Sequence, residues 1–336
     1  MKVLLLVGAL ILSSCPAIPQ TSTSFHPIVQ RAMETSLYSS RVDWKAVNAR
    51  FVELTEGKEG VEELKPGLQY LINSLGDKHG HIRSATDHSI VVYYQGKIAE
   101  SSDLERDAEF VTAVINDVSA EFSYRLLEDG IGYLRVVGIG PGDVQAQADL
   151  IRDGLKALKE KGADRWIVDL RFNGGGNMEP MIAGLAPLIG KGKIGGAMNS
   201  KGEISRQYSI ENGQFNHHGR IPCEMADAPK IGSKEKVAVL LSRYTISSGE
   251  MVAVTFKGRP HTRFFGEATA GYTTGNGYDP ITEDLVLIIS QDVFADRNDK
   301  AYRKYVDVDE EIPFPHRTDL RKDPQFERAV QWLKGK

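Results

Sequence analysis

The sequence predicts an α/β fold with a largely parallel sheet, preceded by a small helical region. From Gly130 onward, apolar segments of strand length alternate with amphipathic segments of helix length, as in sheets whose strands are connected through helices. Residues from about 24 to 75 instead carry apolar side chains at helical spacing. A chain of 336 residues with 41% hydrophobic residues is large enough to bury such a core.

The individual elements follow from local patterns. Glycines at 57–60 divide the first helical stretch, and Pro66 is expected near the start of its second helix. A polar stretch at 199–235 is expected to run over the surface as a long excursion. The other predicted elements are strands at 90–94, 131–137, 166–172, 237–241, 263–265 and 285–290, and helices at 144–161, 178–188 and 248–256.

The N-terminus has the composition of an export signal. Met1-Lys2 precedes an apolar run that ends at Leu12, and Ser13-Ser14-Cys15 follows. The run is too short for an ordinary transmembrane span. Leu12 to Cys15 resembles a bacterial lipobox, in which the cysteine becomes the lipidated first residue; cleavage elsewhere with loss of Cys15 is the alternative. We therefore expect a signal peptide at 1–15, a tether at 16–23 and an exported lipoprotein of the bacterial cell envelope.

Charge and cysteine content narrow the function classes. A formal net charge of −4 and a pI near 6.1 argue against a nucleic-acid partner. With only two cysteines, loss or lipidation of Cys15 leaves no intrachain disulfide. Nothing around Cys223 indicates activation, so we interpret it as a filler residue and not as a nucleophile.

The segment 237–251 is the most informative part of the chain. It predicts a buried strand, a short turn and a helix that opens on Ser247 and Ser248. A serine there lies beside free N–H groups and the positive helix end. Acyl transfer requires such a place for its nucleophile, because negative charge develops on the adjacent oxygen. Serine is also a common helix N-cap, so this segment alone leaves both interpretations open.

Two further segments contain residues suited to the same chemistry. Glycines 174–176 lie between a strand and a helix, where their N–H groups can approach a ligand oxygen; a tight turn or a phosphate loop is the alternative, although no Walker lysine follows. His79 and His81 offer a base near neutral pH. Taken alone, either histidine is more often a surface residue than a base, and a metal site would need a third ligand that is not evident.

Together these segments resemble family S41 serine peptidases, which include C-terminal processing proteases and the tricorn core. The Thr-x-Ser-Ser-x-Glu-Met pattern is most similar to the small nisin-resistance branch. The resemblance implies a ClpP/crotonase-like core. The matching pieces keep the family's order and comprise 77–79, 132–135, 169–176, 245–250, 258–260, 265–271 and 296–297.

The resemblance also implies roles for individual residues. Ser247 is the expected nucleophile, with Ser248 as the alternative, and the backbone N–H groups of Ser248 and Gly175 are the expected oxyanion donors. His79 is the expected base, because the lysine of processing proteases is absent at 270–273. Tricorn-like members orient this histidine with a glutamate that does not align here. Either Asp307 or Asp309 replaces it, with Asp309 as our candidate, or the enzyme uses a Ser–His dyad.

These expectations define one leading function. The stretch between His81 and the strand at 131 is too short for a PDZ domain, so we expect a cap region at 24–120 and a catalytic core at 121–336. The protein is expected to be a serine peptidase that cleaves peptides or proteins without metal or cofactor. A non-catalytic binding protein of the same fold is the alternative. An enoyl-CoA-type enzyme is disfavoured by the exported N-terminus, because acyl-CoA substrates are cytoplasmic.

Overall fold

The computed structural model describes residues 25–96, 122–313 and 323–335. The predicted signal peptide, the tether and Cys15 lie outside the described residues, as does the part of the expected cap region at 97–120. The helices are α1 (Pro27–Thr35), α2 (Trp44–Thr55), α3 (Val61–Leu75), α4 (Val144–Glu160), α5 (Met178–Ile189), α6 (Ser248–Phe256) and α7 (Pro324–Leu333).

The strands are β1 (His81–Ser84), β2 (Ile90–Tyr93), β3 (Ser123–Leu126), β4 (Ile131–Arg135), β5 (Arg165–Asp169), β6 (Gly192–Met198), β7 (Ile204–Glu211), β8 (Gln214–His217), β9 (Val237–Leu241), β10 (Thr262–Gly266), β11 (Thr274–Asn276), β12 (Asp279–Pro280), β13 (Leu285–Ile288), β14 (Ser290–Asp296) and β15 (Glu310–Glu311). Short 3₁₀ turns lie at Ser39–Arg41 and Glu128–Gly130.

A six-stranded sheet forms the centre of the fold. Its strand order is β15-β10-β9-β5-β4-β3, and every pair is parallel except β3 with β4. One face packs on α4, α5 and α6, and the other face packs on α7. Strands buried on both faces account for apolar runs such as Val237–Leu241, in which all five residues are buried. The predicted α/β fold class is confirmed.

Two smaller antiparallel sheets adjoin this core. One has the order β11-β14-β6-β7-β8 and the other β12-β13-β1-β2. The second sheet joins the N-terminal region to the rest of the chain, because His81 lies opposite Ile288. The three N-terminal helices cover this sheet with buried side chains that include Phe51, Leu68 and Ile72. Hydrogen bonds therefore cross the predicted boundary near residue 120.

The expected surface excursion at 199–235 is wrong for its first half. Strands β7 and β8 occupy this part of the chain, and Tyr208, Ile210 and Phe215 are buried in the main core. Strand β7 was not predicted because the polar run Ser205-Arg206-Gln207 and the buried Ser209 interrupt the apolar alternation typical of a strand. Pro66 also lies within α3, farther from its start than expected.

Candidate active site

Ser247 lies in the turn between β9 and α6, in a backbone conformation that is rare for residues other than glycine. Its φ is 53° and its ψ is −116°. The residue is half-buried and immediately precedes the first residue of α6. Backbone strain of this kind persists only where surrounding contacts enforce it, and it is concentrated at functional sites. The strand–turn–helix placement expected from the sequence is therefore present, in a strained form.

The glycine loop that follows β5 packs directly against this turn. Because β5 and β9 are parallel neighbours, their carboxyl ends leave the sheet at the same edge. The Ile246 N–H donates to Asn173 O at 2.9 Å. A Cβ at residue 175 would lie 3.0 Å from Ile246 O and 3.0 Å from Ser247 Cβ, and φ at Gly175 is +95°. Only glycine fits at position 175 without displacing the turn.

Backbone N–H groups without an acceptor in the described ranges lie on both sides of Ser247. They belong to Ser248 and to the glycine loop, but not to Gly175 as expected. The Ser248 N–H opens α6 and has no acceptor among the described residues. The Gly175 N–H instead donates to Asn173 Oδ1 at 3.0 Å. The flanking N–H groups of Gly174 and Gly176 have no acceptor in the described part of the chain. Gly175 thus provides close packing, and its neighbours in the loop provide the uncommitted N–H groups.

Glu250 fixes the serine turn to a second loop. Its Oε2 accepts from Ser247 N at 2.8 Å and from Tyr272 N at 2.7 Å. Its Oε1 accepts from Thr269 Oγ1 at 2.5 Å and from Gly271 N at 2.9 Å. Burial raises the pKa of this carboxyl from 4.5 to about 7, although the four donors oppose the increase. One fully buried carboxylate therefore holds both the serine and the loop at 269–272.

His79 contacts that second loop. The Tyr272 ring meets the His79 ring edge-on, with centroids 4.8 Å apart. The Nδ1 atom of His79 lies 2.7 Å from Thr274 Oγ1. Burial lowers the His79 pKa to about 4, and the charge of Lys78 contributes. The imidazole is therefore neutral at physiological pH, as a general base must be.

His81 has a different environment. Its Nδ1 lies 2.8 Å from His79 O, and its Nε2 lies 3.1 Å from Arg83 Nη2. Since the arginine can only donate, Nε2 accepts and Nδ1 donates to the carbonyl. Both ring nitrogens of His81 are thus engaged. These contacts favour His79 over His81 as the base.

Two other residues singled out in the sequence lie away from this centre. Asp309 Oδ2 accepts from Phe264 N at 2.8 Å beside β10, whereas the partner of the His79 ring is a threonine hydroxyl. Cys223 is buried, and burial raises its pKa to about 11, so the thiol stays protonated. The structure thus supports neither Asp309 as the orienting acid nor Cys223 as a nucleophile.

Sequence reasoning missed most of the supporting polar residues. Asp77 and Thr269 lie in segments that resemble the family but were assigned no role, and Thr274 lies outside those segments. Only Glu250 had a local signal, because a serine three residues before a glutamate is a helix-capping pattern. That pattern predicts the bond to Ser247 but not the three bonds to residues 269–272.

The fold is similar to that of S41 peptidases. The sequence profile of Peptidase family S41 matches residues 130–312, which is just over half of the chain. The chain belongs to this family, and both the family and the fold class expected from the sequence are confirmed.

Individual relatives agree with this assignment. The nisin-resistance protein of Lactococcus lactis subsp. lactis is 27% identical over 304 residues, which cover 90% of this chain and 83% of that protein. A lipoprotein structure from Streptococcus agalactiae has a TM-score of 0.65 at 24% identity and covers 92% of this chain and 94% of that one. The photosystem II D1 C-terminal processing protease has a TM-score of 0.54 at 12% identity and covers 86% and 93%. At these identities the two structures support the fold alone.

Proposed function

We propose that this protein is a serine peptidase that hydrolyses peptide bonds through an acyl-enzyme on Ser247, with His79 as general base. Membership of a peptidase family supports a peptidase-type function. The observation that supports the nucleophile is its strained conformation at a helix N-terminus, pressed against Gly175. The observation that supports the base is a half-buried imidazole with a lowered pKa, in contact with the loop that Glu250 holds.

The proposed reaction proceeds through an acyl-enzyme in four steps. His79 Nε2 takes the Ser247 hydroxyl proton as Oγ attacks the scissile carbonyl carbon. The Ser248 N–H and an N–H of the glycine loop stabilise the oxyanion, and donors of this kind contribute about 3 kcal/mol each. Collapse of the intermediate expels the amine, which receives the proton from His79. Water then attacks the acyl-enzyme, with His79 acting as base again.

A position at the cell envelope is part of the proposal. It is supported by the signal-like sequence that ends at Cys15 and by similarity to a nisin-resistance protein and to a lipoprotein. Among the described residues, no helix is both long and apolar enough to cross a membrane. A lipid anchor on Cys15 with a short tether would keep the active site near the bilayer. Peptides that act on the envelope are then the substrates met first.

The nucleophile is tested with two neighbouring serines. Ser247→Ala is expected to lose turnover by several orders of magnitude, because removal of a nucleophile disables the whole catalytic unit. Ser248→Ala, which keeps its backbone N–H, is the matched control and should remain active. Mass spectrometry of incubated peptides measures cleavage, and circular dichroism verifies folding. Near-normal turnover in Ser247→Ala together with loss in Ser248→Ala would move the nucleophile by one residue.

The base and the reaction class are tested in the same way. His79→Ala should be inactive, and His81→Ala should retain substantial activity; the reverse result would contradict the choice of His79. A fluorophosphonate probe should label wild type and not Ser247→Ala. Absence of labelling in a wild-type protein that still binds peptides would instead indicate the non-catalytic binding protein.

A further inference from the structure

The ring of His79 is connected to a buried carboxylate by two hydroxyl groups. His79 Nδ1 lies 2.7 Å from Thr274 Oγ1, which lies 2.8 Å from Ser290 Oγ. Ser290 Oγ lies 2.9 Å from Asp77 Oδ1. The series therefore joins a histidine to the aspartate two residues before it, through residues of β11 and β14.

Only one assignment of protons satisfies the whole series when Asp77 is ionised. The carboxylate can only accept, so the Ser290 hydroxyl donates to it. Ser290 Oγ then accepts from the Thr274 hydroxyl, and Thr274 Oγ1 accepts from His79 Nδ1–H. The proton of the neutral imidazole is thus fixed on Nδ1, and Nε2 keeps the lone pair that a general base requires.

Burial protects this arrangement from water. Ser290 is 0% exposed, Asp77 is 1% exposed and Thr274 is also buried. Asp77 additionally accepts from His79 N at 3.0 Å and from Ser290 N at 2.7 Å. The same carboxylate therefore holds both the backbone and, through the hydroxyls, the ring of the histidine.

We propose that Thr274 and Ser290 form a hydroxyl relay through which Asp77 orients His79, in place of the carboxylate that tricorn-like members supply near the C-terminus. The inference rests on the proposed function. The three are positioning residues, because they act through His79. The other charged or titratable groups that face His79 are Lys78, His81 and Tyr272, and Tyr38 lies near Asp77 and Ser290.

The relay is tested by replacing Thr274 with valine, which has a similar shape but no hydroxyl. Thr274→Val is expected to lower kcat about tenfold with little change in KM, because one buried hydrogen bond is lost without loss of a substrate contact. Thr274→Ser keeps the hydroxyl and should restore most of kcat. Thr273→Val is the matched control, because Thr273 is also buried and its Oγ1 has no hydrogen-bond partner among the described residues.

A second measurement does not depend on catalysis. The ¹⁵N chemical shifts of the His79 ring should show the Nδ1–H tautomer in wild type and in Thr273→Val, and a tautomer mixture in Thr274→Val. Equal kcat and equal shifts in the two valine variants would overturn the relay. If wild type cleaves no peptide but shows this tautomer dependence, the relay stands and the proposed function fails.

A positively charged cavity lies beside the segment that contains Lys78 and His79. The cavity has a volume of about 610 Å³, and its lining includes Arg41, Lys78, Arg303 and Lys304. No acidic residue lines it within the described parts of the chain. The whole chain has 45 acidic and 41 basic residues, so the cavity departs from the average charge. Three tyrosines also line it: Tyr38, Tyr94 and Tyr305.

The cavity is lined by sequence neighbours of the candidate site residues, although neither Ser247 nor His79 lines it. Its wall includes Lys78, the residue before His79, and Gly271, whose N–H is bonded to Glu250. Arg303 and Lys304 have no carboxylate within ion-pair distance among the residues that the structure describes. We infer that this cavity binds a carboxylate of the peptide substrate, either an acidic side chain or the C-terminus; this inference too rests on the proposed function.

Matched peptides distinguish the two sources of the carboxylate. One pair replaces a glutamate by glutamine, and the other replaces the C-terminal acid by an amide. For the preferred acidic peptide, the double variant Arg303→Gln/Lys304→Gln should raise KM about tenfold, because each exposed charge pair contributes a small factor. Neutral peptides and the exposed control Lys230→Gln should show unchanged KM.

Two outcomes would overturn the cavity inference. Equal KM values for the acidic and neutral members of both pairs would contradict a carboxylate-binding cavity. The proposed peptidase activity would still stand. Binding of wild type, but not of the double variant, to phosphatidylglycerol vesicles with no charge preference among peptides would assign the cavity to a lipid headgroup. Failure to cleave any peptide would count against the proposed function instead.

Discussion

Glu250→Gln is the substitution that most directly tests how the site is held together. The wild-type carboxylate accepts four hydrogen bonds, from Ser247 N, Tyr272 N, Gly271 N and Thr269 Oγ1. A glutamine has only one acceptor oxygen. Its NH₂ group would replace the other carboxylate oxygen, and that group cannot accept hydrogen bonds from the donors that face it. Loss of hydrogen bonds to a buried charged acceptor costs about 1.5–3 kcal/mol, so kcat should fall by about tenfold to a hundredfold.

The effect of Glu250→Gln on the free energy of unfolding should depend on pH, because burial raises the Glu250 pKa. The Glu250 pKa is raised from 4.5 to about 7. Each pKa unit corresponds to about 1.4 kcal/mol, so keeping this carboxylate ionised in the folded protein costs about 3 kcal/mol. Because the folded-state pKa is the higher one, the stability contribution is fully present below 4.5 and is lost as pH rises through about 7.

Urea denaturation of both proteins measures this cost. Between about pH 4 and about pH 8, the free energy of unfolding of wild type should fall by about 3 kcal/mol relative to that of Glu250→Gln. Comparison with the variant cancels other buried groups, such as Asp77, whose pKa is also raised by burial. Parallel curves for the two proteins would refute the conclusion that Glu250 titrates in this range.

Four other results are expected. The histidine limb of the pH–rate profile should lie near pH 4, well below the ordinary range, because burial and Lys78 lower the His79 pKa; a limb near 6.5 would contradict this. Gly175→Ala should abolish turnover because its Cβ would press on the serine turn, whereas Gly174→Ala, with open space around its Cβ, should be tolerated in the same peptide assay. Amide substitution of Asp309, or of its acidic neighbours Asp307 and Glu310, should cost far less kcat than loss of the nucleophile; one equally severe loss would establish a triad. Cys15→Ser should release the protein from the detergent-soluble membrane fraction or block its processing, and a soluble wild type cut elsewhere would disprove the anchor.

Local patterns explain which parts of the structure were predictable. The strand Val237–Leu241 and the helix Ser248–Phe256 have the predicted bounds, because a continuous apolar run and a capping pattern are both written in adjacent residues. The partner of His79 was not predictable in this way. Asp77 and Ser290 are 213 positions apart and meet only after the sheets have formed.

The surroundings of Asp309 were unpredictable for the same reason. Asp309 has the right chemistry and roughly the right position in sequence, yet its carboxylate is used to join two backbone segments. The role of Gly175 was also only partly accessible, because its conformation follows from packing against Ser247 and its N–H is taken by Asn173. Sequence identified residues near the chemistry, and tertiary contacts decided their roles.

The pairing of β1 with β13 has a consequence for when activity begins. The histidine precedes β1, and the strand that holds β1 in place ends at residue 288. Thr274 and Ser290 also belong to this late part of the chain. The serine turn also depends on later residues, because Glu250 bonds it to Gly271 and Tyr272. A chain that ended before residue 285 would contain His79 and Ser247 but neither β13 nor Ser290, so we expect it to be inactive.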